Sequence, residues 1–241
     1  MTEQSPKAVV DKRNANIYSD GTYLQNNQSW HVEDSPWKAL QIYSILQKNN
    51  IASSNVAEIG CGAGEILRQL SLKLPQSNFT GFELSPQAFK LCQTRASKNI
   101  RFVFEDIMSQ DSVFDVALCI DVFEHVDDYM GFIRGIQSKA KYKIFHIPLD
   151  ISVLSVLRNS LINERNNVGH LHYFCKETAI ATLVDCGYKI IDSFYTRAFD
   201  ELPSVSLKAK FAKFPRKLLF NLGPDLMVKT LGGCSLLVLA Q

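Results

Sequence analysis

The sequence has no long run of apolar residues. None reaches the roughly 18 residues that a membrane-crossing helix needs, and residues 1–16 are polar, without the apolar core of a signal peptide. An excess of charge is also missing, because 26 lysine and arginine residues stand against 24 aspartate and glutamate residues. The net charge of +2 gives no global argument for a nucleic-acid partner. We therefore expect a cytoplasmic protein.

The cysteines include no C-x-x-C pair, the spacing typical of zinc and redox sites. Several of them lie inside apolar stretches, where a thiol behaves as a small hydrophobic group. We therefore expect a reducing compartment and free thiols, with neither disulfides nor a zinc site. The six cysteines are Cys61, Cys92, Cys119, Cys175, Cys186 and Cys234.

A length of 241 residues, of which 46% are hydrophobic and 21% charged, fits one large α/β domain. Apolar strands alternate with helical patterns, which predicts a parallel, doubly wound, Rossmann-like sheet. The predicted strand at residues 114–120 is almost wholly apolar, as expected of burial on both faces. The first strand is predicted to end near Ile59, and the others are predicted at residues 78–83, 100–104, 114–120, 142–147, 188–195 and 234–240.

The N-terminal part is predicted to differ from the rest. Residues 1–37 are interpreted as an irregular arm or lid, and residues 38–241 as the main domain. A helix is predicted from about Pro36 to Asn49, with Ser35 as its N-cap. Its buried face is expected to carry Ala39, Leu40, Tyr43 and Leu46.

A glycine turn follows the first strand. Gly60, Gly62 and Gly64 have the spacing G-x-G-x-G, and Glu65 stands where a dinucleotide-binding G-x-G-x-x-G motif would have its third glycine. The lack of that glycine argues against a nicotinamide cofactor. The turn still allows the backbone to approach a ligand closely, and the helix start after it offers free N–H groups to a carboxylate or another anion.

Acidic residues end three predicted strands, where ligands bind in open α/β sheets. Glu58 ends the first strand, Glu83 the second, and Glu105 with Asp106 the third. A carboxylate at the second position can accept both hydrogen bonds of a ribose diol, and one at the third can accept from an adenine amino group. A single strand-end acid is usually only solvated, but three in register with the glycine turn predict a nucleoside ligand.

The pattern E-x-G-x-G-x-G with an acid about twenty positions later resembles that of class I S-adenosylmethionine (SAM) methyltransferases. The resemblance covers roughly residues 38–196 and the final strand, and it implies a seven-stranded sheet of order 3-2-1-4-5-7-6 whose last strand is antiparallel. It also implies SAM as cofactor. The residues it would place around SAM are Glu58, Gly60, Cys61, Gly62 and Gly64 at the glycine turn, Glu83 and Leu84 at the ribose, Glu105, Asp106 and Ile107 at the adenine, and Ile120, Asp121 and Val122 at the methionine portion.

A metal site is a further expectation. The segment from Asp121 to His125 is similar to the acid-x-x-Glu-His motif of two branches of that superfamily, the ubiquinone O-methyltransferases and the methyltransferases of small-RNA 2′-hydroxyls. The similarity implies a divalent cation bound by Asp121, Glu124, His125 and a later histidine, either His170 or His172, with His170 as the prediction. The alternative is that Glu124 and His125 start the next helix and orient the cofactor loop without a metal.

The acceptor is expected beside the methyl group. His125 and His170 are predicted to be catalytic through the cation, which lowers the pKa of a bound hydroxyl, and His146 is predicted as a general base or, alternatively, a structural residue. Trp30, His31 and Trp37 are predicted to form a lid or substrate contact, with packing against the sheet as the alternative for Trp37.

After Pro148, residues 151–161 are predicted to be helical, residues 163–172 to be a polar loop, and residues 198–232 to form an insertion. Within it, residues 208–220 combine five positive charges with phenylalanine and leucine. Three interpretations stay open: a solvated basic helix whose apolar face covers the sheet edge, contact with an anionic membrane or lipid-linked substrate, or contact with RNA phosphates. No RNA-binding module supports the last of these.

Together these features predict a SAM-dependent methyltransferase that acts on a hydroxyl of a small molecule. A lipid-linked, sugar or RNA acceptor would leave every cofactor residue unchanged. A non-catalytic SAM-binding regulatory domain is the alternative from another class of proteins, since a fold alone does not determine an activity.

Overall fold

The computed structural model describes residues 27, 29–30, 32–203 and 207–241, with only the backbone of residues 207–210. Seven strands form one sheet of order β3-β2-β1-β4-β5-β7-β6, and β7 runs antiparallel to both of its neighbours. The predicted fold and strand order are therefore confirmed. The strands are β1 Asn55–Ile59, β2 Asn78–Phe82, β3 Ile100–Val103, β4 Phe114–Ile120, β5 Ala140–Pro148, β6 Ile190–Thr196 and β7 Ser235–Ala240.

Helices cover both faces of the sheet, and the core divides into two apolar clusters on either side of it. Among the described residues, no helix combines the length and the hydropathy required to cross a membrane. The helices are α1 Ser35–Lys48, α2 Glu65–Lys73, α3 Pro86–Cys92, α4 Tyr129–Gly135, α5 Val153–Leu157, α6 Ser160–Asn167, α7 Lys176–Asp185, α8 Ala198–Glu201, α9 Leu207–Leu222 and α10 Pro224–Leu231.

Helix α1 corrects two details of the prediction. Ser35 is its first residue, and the N-cap position is Asp34, whose side chain makes no capping hydrogen bond but pairs with Lys38 at 2.9 Å. Leu40 is 46% exposed, whereas Ile42 and the residues at its own helical spacing are buried. Ala39 and Leu46 are buried as predicted and Tyr43 packs partly against the core, so only Leu40 is wrong. The sheet contacts the side of the helix that carries Ile42 rather than Leu40.

The predicted polar loop at residues 163–172 is also wrong in part. Residues 160–167 form α6, a helix without a buried residue. A helix that is polar on all sides carries no hydrophobic periodicity, so the sequence pattern could not reveal it. The segment Phe123–His125 is a 3₁₀ turn, and the next α-helix begins only at Tyr129.

Candidate functional site

A cleft of about 770 Å³ opens at the carboxyl ends of the parallel strands. Its walls come from the start of α1, the loop between β1 and α2, and the ends of β2, β4 and β5. Because parallel strands bring their carboxyl ends to one edge of the sheet, residues far apart in sequence meet here. All the predicted cofactor residues except Gly64 line this cleft.

The loop from Gly60 to Gly64 depends on glycine. The φ angles of Gly60, Gly62 and Gly64 are 63°, 54° and 76°, in the left-handed region that other residues avoid. Gly64 also has no space for a side chain, since a Cβ atom there would lie 2.5 Å from the Phe102 ring. The tight loop directs the start of α2, of which Gly64 is the N-cap residue, toward the cleft.

Glu83 is buried and fastens this loop. Its Oε2 accepts a hydrogen bond from the Gly62 N–H at 2.7 Å, and its Oε1 accepts from Leu84 and Ser85 at 2.9 and 2.7 Å. Burial raises the pKa of Glu83, although the three backbone donors oppose the shift. Each carboxylate oxygen has two lone pairs, so the group keeps capacity for a ligand hydroxyl.

The other strand-end acids have different surroundings. Glu58 is buried, and its Oε2 has no hydrogen-bond partner among the described residues. Burial and the nearby Glu83 charge raise the pKa of Glu58 well above its ordinary value. Glu105 and Asp106 are exposed at the rim, where they accept from Gln110 at 2.6 Å and from the Met108 N–H at 2.9 Å.

Asp121 lies at the centre of an ionic network that joins three elements. Its Oδ2 is 2.9 Å from Lys38 Nζ on α1, and its Oδ1 is 2.6 Å from His146 Nδ1 on β5. Its own φ of 54° is unusual for a residue other than glycine. The other ring nitrogen of His146, Nε2, lies 2.9 Å from the hydroxyl of Thr196. Both ring nitrogens of His146 are therefore engaged within the protein.

The network sets the charges of its members. Burial opposes the charge of Asp121, but the contacts with His146 and Lys38 outweigh it and hold the pKa of Asp121 well below its ordinary value. Burial also opposes the ammonium charge of Lys38, yet Asp121 and Asp34 raise the pKa of Lys38. An anion held between two basic groups thus lies at the end of β4, beside the cleft.

A second cluster brings together Glu124, His125 and His170, whose ligand atoms lie within 4.8 Å of one another. Glu124 is fully buried, and neither of its carboxylate oxygens has a hydrogen-bond partner in the described part of the chain. His170 Nδ1 is 2.7 Å from an oxygen of Asp150, which orients the ring. Such a carboxylate–histidine pair is common behind metal-binding imidazoles.

The cluster includes three of the four predicted metal ligands. Asp121 is not one of them, because its carboxylate faces Lys38 and His146. His170 is present rather than His172, whose Nε2 lies 2.9 Å from the carbonyl oxygen of Val126. One carboxylate and two imidazoles form a donor set suited to Mn²⁺ or Zn²⁺ more than to Mg²⁺. The buried carboxylate of Glu124, which has no hydrogen-bond partner among the described residues, fits a bound cation.

Part of the chain is similar in sequence to known methyltransferases. The model of a family described as "Methyltransferase domain" matches residues 57–141, which include the end of β1, the glycine loop and β2 to β4. The chain is 29% identical over 103 residues to a malonyl-[acyl-carrier protein] O-methyltransferase of Bacillus cereus, covering 41% of this chain and 38% of that protein. It is 27% identical over 136 residues to a ubiquinone biosynthesis O-methyltransferase of Colwellia psychrerythraea, covering 53% and 54%. The chain thus spans about half or less of the length of these curated relatives.

Solved structures agree on the fold. A magnesium protoporphyrin IX methyltransferase of Synechocystis PCC 6803, solved with bound S-adenosylhomocysteine (SAH), superposes with a TM-score of 0.62 at 15% identity, over 94% of this chain and 96% of that one. The plantazolicin methyltransferase BpumL in complex with SAH gives 0.61 at 15% identity, over 95% and 93%. The chain shares the fold of these methyltransferases, and its residues 57–141 match a methyltransferase domain.

The lid prediction concerns residues of the N-terminal arm. Trp30 and Trp37 both line the cleft. The Trp37 indole N–H donates to Glu201 Oε2 at 2.7 Å, and its ring meets His146 edge-on at 6.3 Å. His31 lies outside the described residues. The lid and the boundary at residue 37 stay predictions.

Sequence reasoning missed two residues of the candidate site, Lys38 and Asp150. Lys38 pairs with Asp34 at the i, i+4 spacing that stabilises helices, so the spacing could have predicted a surface pair but not the contact with Asp121. Asp150 follows β5 by two residues, and nothing local linked it to His170. Only the fold brings Lys38 to the cleft and Asp150 to His170, which lines the cleft.

Proposed function

We propose that this protein binds SAM in the cleft and transfers its methyl group to a hydroxyl oxygen of a small molecule. The observation that carries the proposal is the glycine loop fastened to the buried carboxylate of Glu83 at the carboxyl edge of the sheet. This arrangement offers backbone N–H groups and a carboxylate side by side, as a ribose and an amino-acid moiety require. The family match and the SAH-bound fold neighbours support it.

In this pose Glu83 accepts from the ribose hydroxyls, and Asp106 and Ile107 contact the adenine. Ile120, Asp121 and Val122 lie beside the methionine portion and direct the methyl group toward Glu124, His125 and His170. Lys38 and His146 act as positioning residues, because they hold Asp121 in its left-handed conformation. Holding both reactants in line contributes most of the rate in a direct displacement.

The proposed reaction is a one-step methyl transfer. The acceptor oxygen attacks the methyl carbon, the carbon–sulfur bond breaks, and SAH leaves neutral at sulfur while the hydroxyl proton passes to a base. Bound at Glu124, His125 and His170, a divalent cation would lower the pKa of the acceptor hydroxyl. Burial and the neighbouring His170 lower the pKa of His125 to about 4, so its ring is available as an uncharged ligand or base. Both curated relatives are named as O-methyltransferases, which supports oxygen as the acceptor atom.

Cofactor binding is tested by calorimetric titration of SAM and SAH. We expect wild-type protein to bind both, and Glu83→Ala to weaken binding at least about thirtyfold, because a charge-assisted contact with the ribose is lost together with the hydrogen bond that fastens the glycine loop. Glu83→Gln keeps one acceptor oxygen and is expected to lose less. Asp106→Ala, at the exposed rim, is expected to lose only about threefold. Folded wild-type protein that binds neither form of the cofactor would contradict the proposal.

The cation is tested by titrating Mn²⁺ into protein treated with chelator, with thermal unfolding as the readout. We expect Mn²⁺ to raise the unfolding temperature of the wild type, since a ligand that binds only the native state stabilises it. His170→Gln is expected to lose most of the increase. The matched control is His172→Gln, two residues away, which should keep it. The metal site would be refuted if Mn²⁺ raised the unfolding temperature of both variants equally, or did not raise that of the wild type. Neither result would bear on SAM binding.

A further inference from the structure

Helix α9 turns apolar side chains toward solvent. Phe211 is 80% exposed, Phe214 75% and Leu222 77%, and Leu218 is exposed as well. Their spacing of three, four and four residues places them in one stripe along the helix. We call this stripe, Phe211, Phe214, Leu218 and Leu222, the outer face of α9. An apolar stripe of this kind marks a surface that contacts something else.

The opposite side of α9 is already occupied. The Phe220 ring meets Tyr195 edge-on at 6.2 Å and lies under the Arg197 guanidinium. The Lys213 ammonium donates to the carbonyl of Leu202 at 2.6 Å. The inner side of α9 thus packs against the rest of the domain. The outer face of α9 is not part of this packed surface. One of the three interpretations given above is a basic helix whose apolar face covers the sheet edge. It describes only the inner side of α9.

A second exposed apolar group lies on α5, where Val153, Val156 and Leu157 face solvent. Helix α5 packs against α10, the helix that follows α9. Arg158, directly after α5, is close to Arg216 of α9, and burial together with this like charge lowers the pKa of Arg216. The outer face of α9 and the α5 group therefore belong to one part of the molecule, with two arginines between the helices.

Among the described residues, neither of these arginines has an anionic partner. Arg216 Nη2 donates to the carbonyl oxygen of Leu231 at 3.2 Å, but Arg216 Nε is buried without a hydrogen-bond partner and neither arginine forms an ion pair. In the sequence, residues 206–222 contain five lysines and arginines, Arg216 among them, and no acid. The surface therefore combines projecting apolar side chains with two arginines that no acidic side chain neutralises.

An anionic lipid surface matches both properties. Phenylalanine and leucine side chains enter the boundary between head groups and acyl chains, and cations bind the phosphates. An acidic protein would match the charge alone, and four side chains that project outward do not form a pocket for one of its side chains. The positive charge and the outward projection of the apolar side chains together favour a lipid surface, which deforms around them, over a rigid protein partner.

We propose that the outer face of α9, with the exposed residues of α5 and Arg158, docks this protein on an anionic membrane. The docking surface connects to the cleft through α8. Ala198 lines the cleft, Glu201 accepts from Trp37, and Asp200 pairs with Lys217 of α9.

The test is flotation of the full chain with vesicles of phosphatidylcholine alone or with one third phosphatidylglycerol. We expect wild-type protein to float only with the anionic vesicles, and less at high salt. Phe211→Ser with Phe214→Ser is expected to weaken partitioning at least about tenfold. The matched control, Leu72→Ser with Val113→Ser, removes two side chains that are each 68% exposed elsewhere and should bind like the wild type. Arg158→Gln is expected to weaken binding about threefold.

Two results would overturn the proposal: folded wild-type protein that ignores anionic vesicles, or a Phe211/Phe214 variant that binds them as well as its control. If wild-type protein is instead a dimer that this variant converts to a monomer, without vesicle binding, the surface is a contact between copies of the chain. Binding of an acidic protein but not of vesicles would likewise refute it. SAM titration of the same variants separates the two proposals, because a loss of docking should leave cofactor affinity unchanged.

Discussion

Replacing Gly64 by alanine is expected to destabilise the protein by about 2–4 kcal/mol, the sum of a left-handed backbone cost and an overpacking cost. The new Cβ would lie 2.5 Å from Phe102 and 2.9 Å from the Cβ of Cys92, both held by the core or by α3. Because φ is 76° at this position, the backbone cannot relax without moving the start of α2. Urea unfolding monitored by circular dichroism measures the loss.

Gly62→Ala is the matched control for this prediction. Its φ of 54° is also left-handed, but the nearest atom to a Cβ there, in the Trp30 ring, is 3.8 Å away. Only the backbone cost of about 1–2 kcal/mol is then expected. The difference between the two variants isolates the clash with Phe102. Equal losses in both would show that Phe102 and Cys92 move aside, and the tight-packing explanation of Gly64 would fail.

Asp121→Asn is expected to cost about 3 kcal/mol of unfolding free energy near neutral pH, because removing one member of a buried ionic group leaves the others uncompensated. Lys38 would keep only Asp34, and His146 Nδ1 would lose its carboxylate partner at 2.6 Å. The same change should weaken SAM binding, since Asp121 lies beside the proposed methionine portion. Urea unfolding and calorimetry of the same preparation measure the two effects.

The loss in Asp121→Asn is expected to depend on pH with a defined sign. The pKa of Asp121 is lowered by folding, so its contribution is present above the ordinary value of 3.8 and is lost as pH falls through the folded-state value. The pKa of Lys38 is raised, so its contribution is present below 10.5 and is lost as pH rises through the folded-state value. The difference between wild type and variant should therefore be near its full size above about pH 5 and shrink as the pH falls below 3.8 toward the folded-state value.

A control acts on the same lysine. Asp34 also pairs with Lys38, at the i, i+4 spacing near the helix end, so Asp34→Asn is expected to cost less than about 1 kcal/mol. Similar losses in Asp34→Asn and Asp121→Asn would mean that Lys38 alone, and not the network through His146, carries the stabilisation. A loss in Asp121→Asn that grows in acid would contradict the lowered pKa.

The residues that line the cleft around the glycine loop could be predicted because their causes are local. The glycine spacing, the acids at Glu58 and Glu83, and the apolar strands each depend on a few consecutive residues. The sheet order came from the family resemblance and not from any strand pattern. Helix α6 escaped prediction because its polar residues carry no periodicity.

The arrangement of residues near the proposed acceptor position depends on long-range contacts, which the sequence does not reveal. The motif from Asp121 to His125 suggested a single ligand set, but the fold divides it between two clusters. Asp121, with its left-handed backbone, turns to Lys38, whereas Glu124 turns toward His170. The choice between His170 and His172 followed from Asp150 and Val126, which no spacing connects to either histidine.

The position of β7 has a consequence for the order of folding. This strand lies between β5 and β6, and β6 has no other neighbouring strand among the described residues. Strands β1 to β5 can pair as they leave the ribosome, but β6 must wait until α8, α9 and α10 and then β7 have been synthesised. We expect the nascent chain to expose β6 and the helices α8–α10 together, with the part of the cleft wall that contains Ser235 closing last.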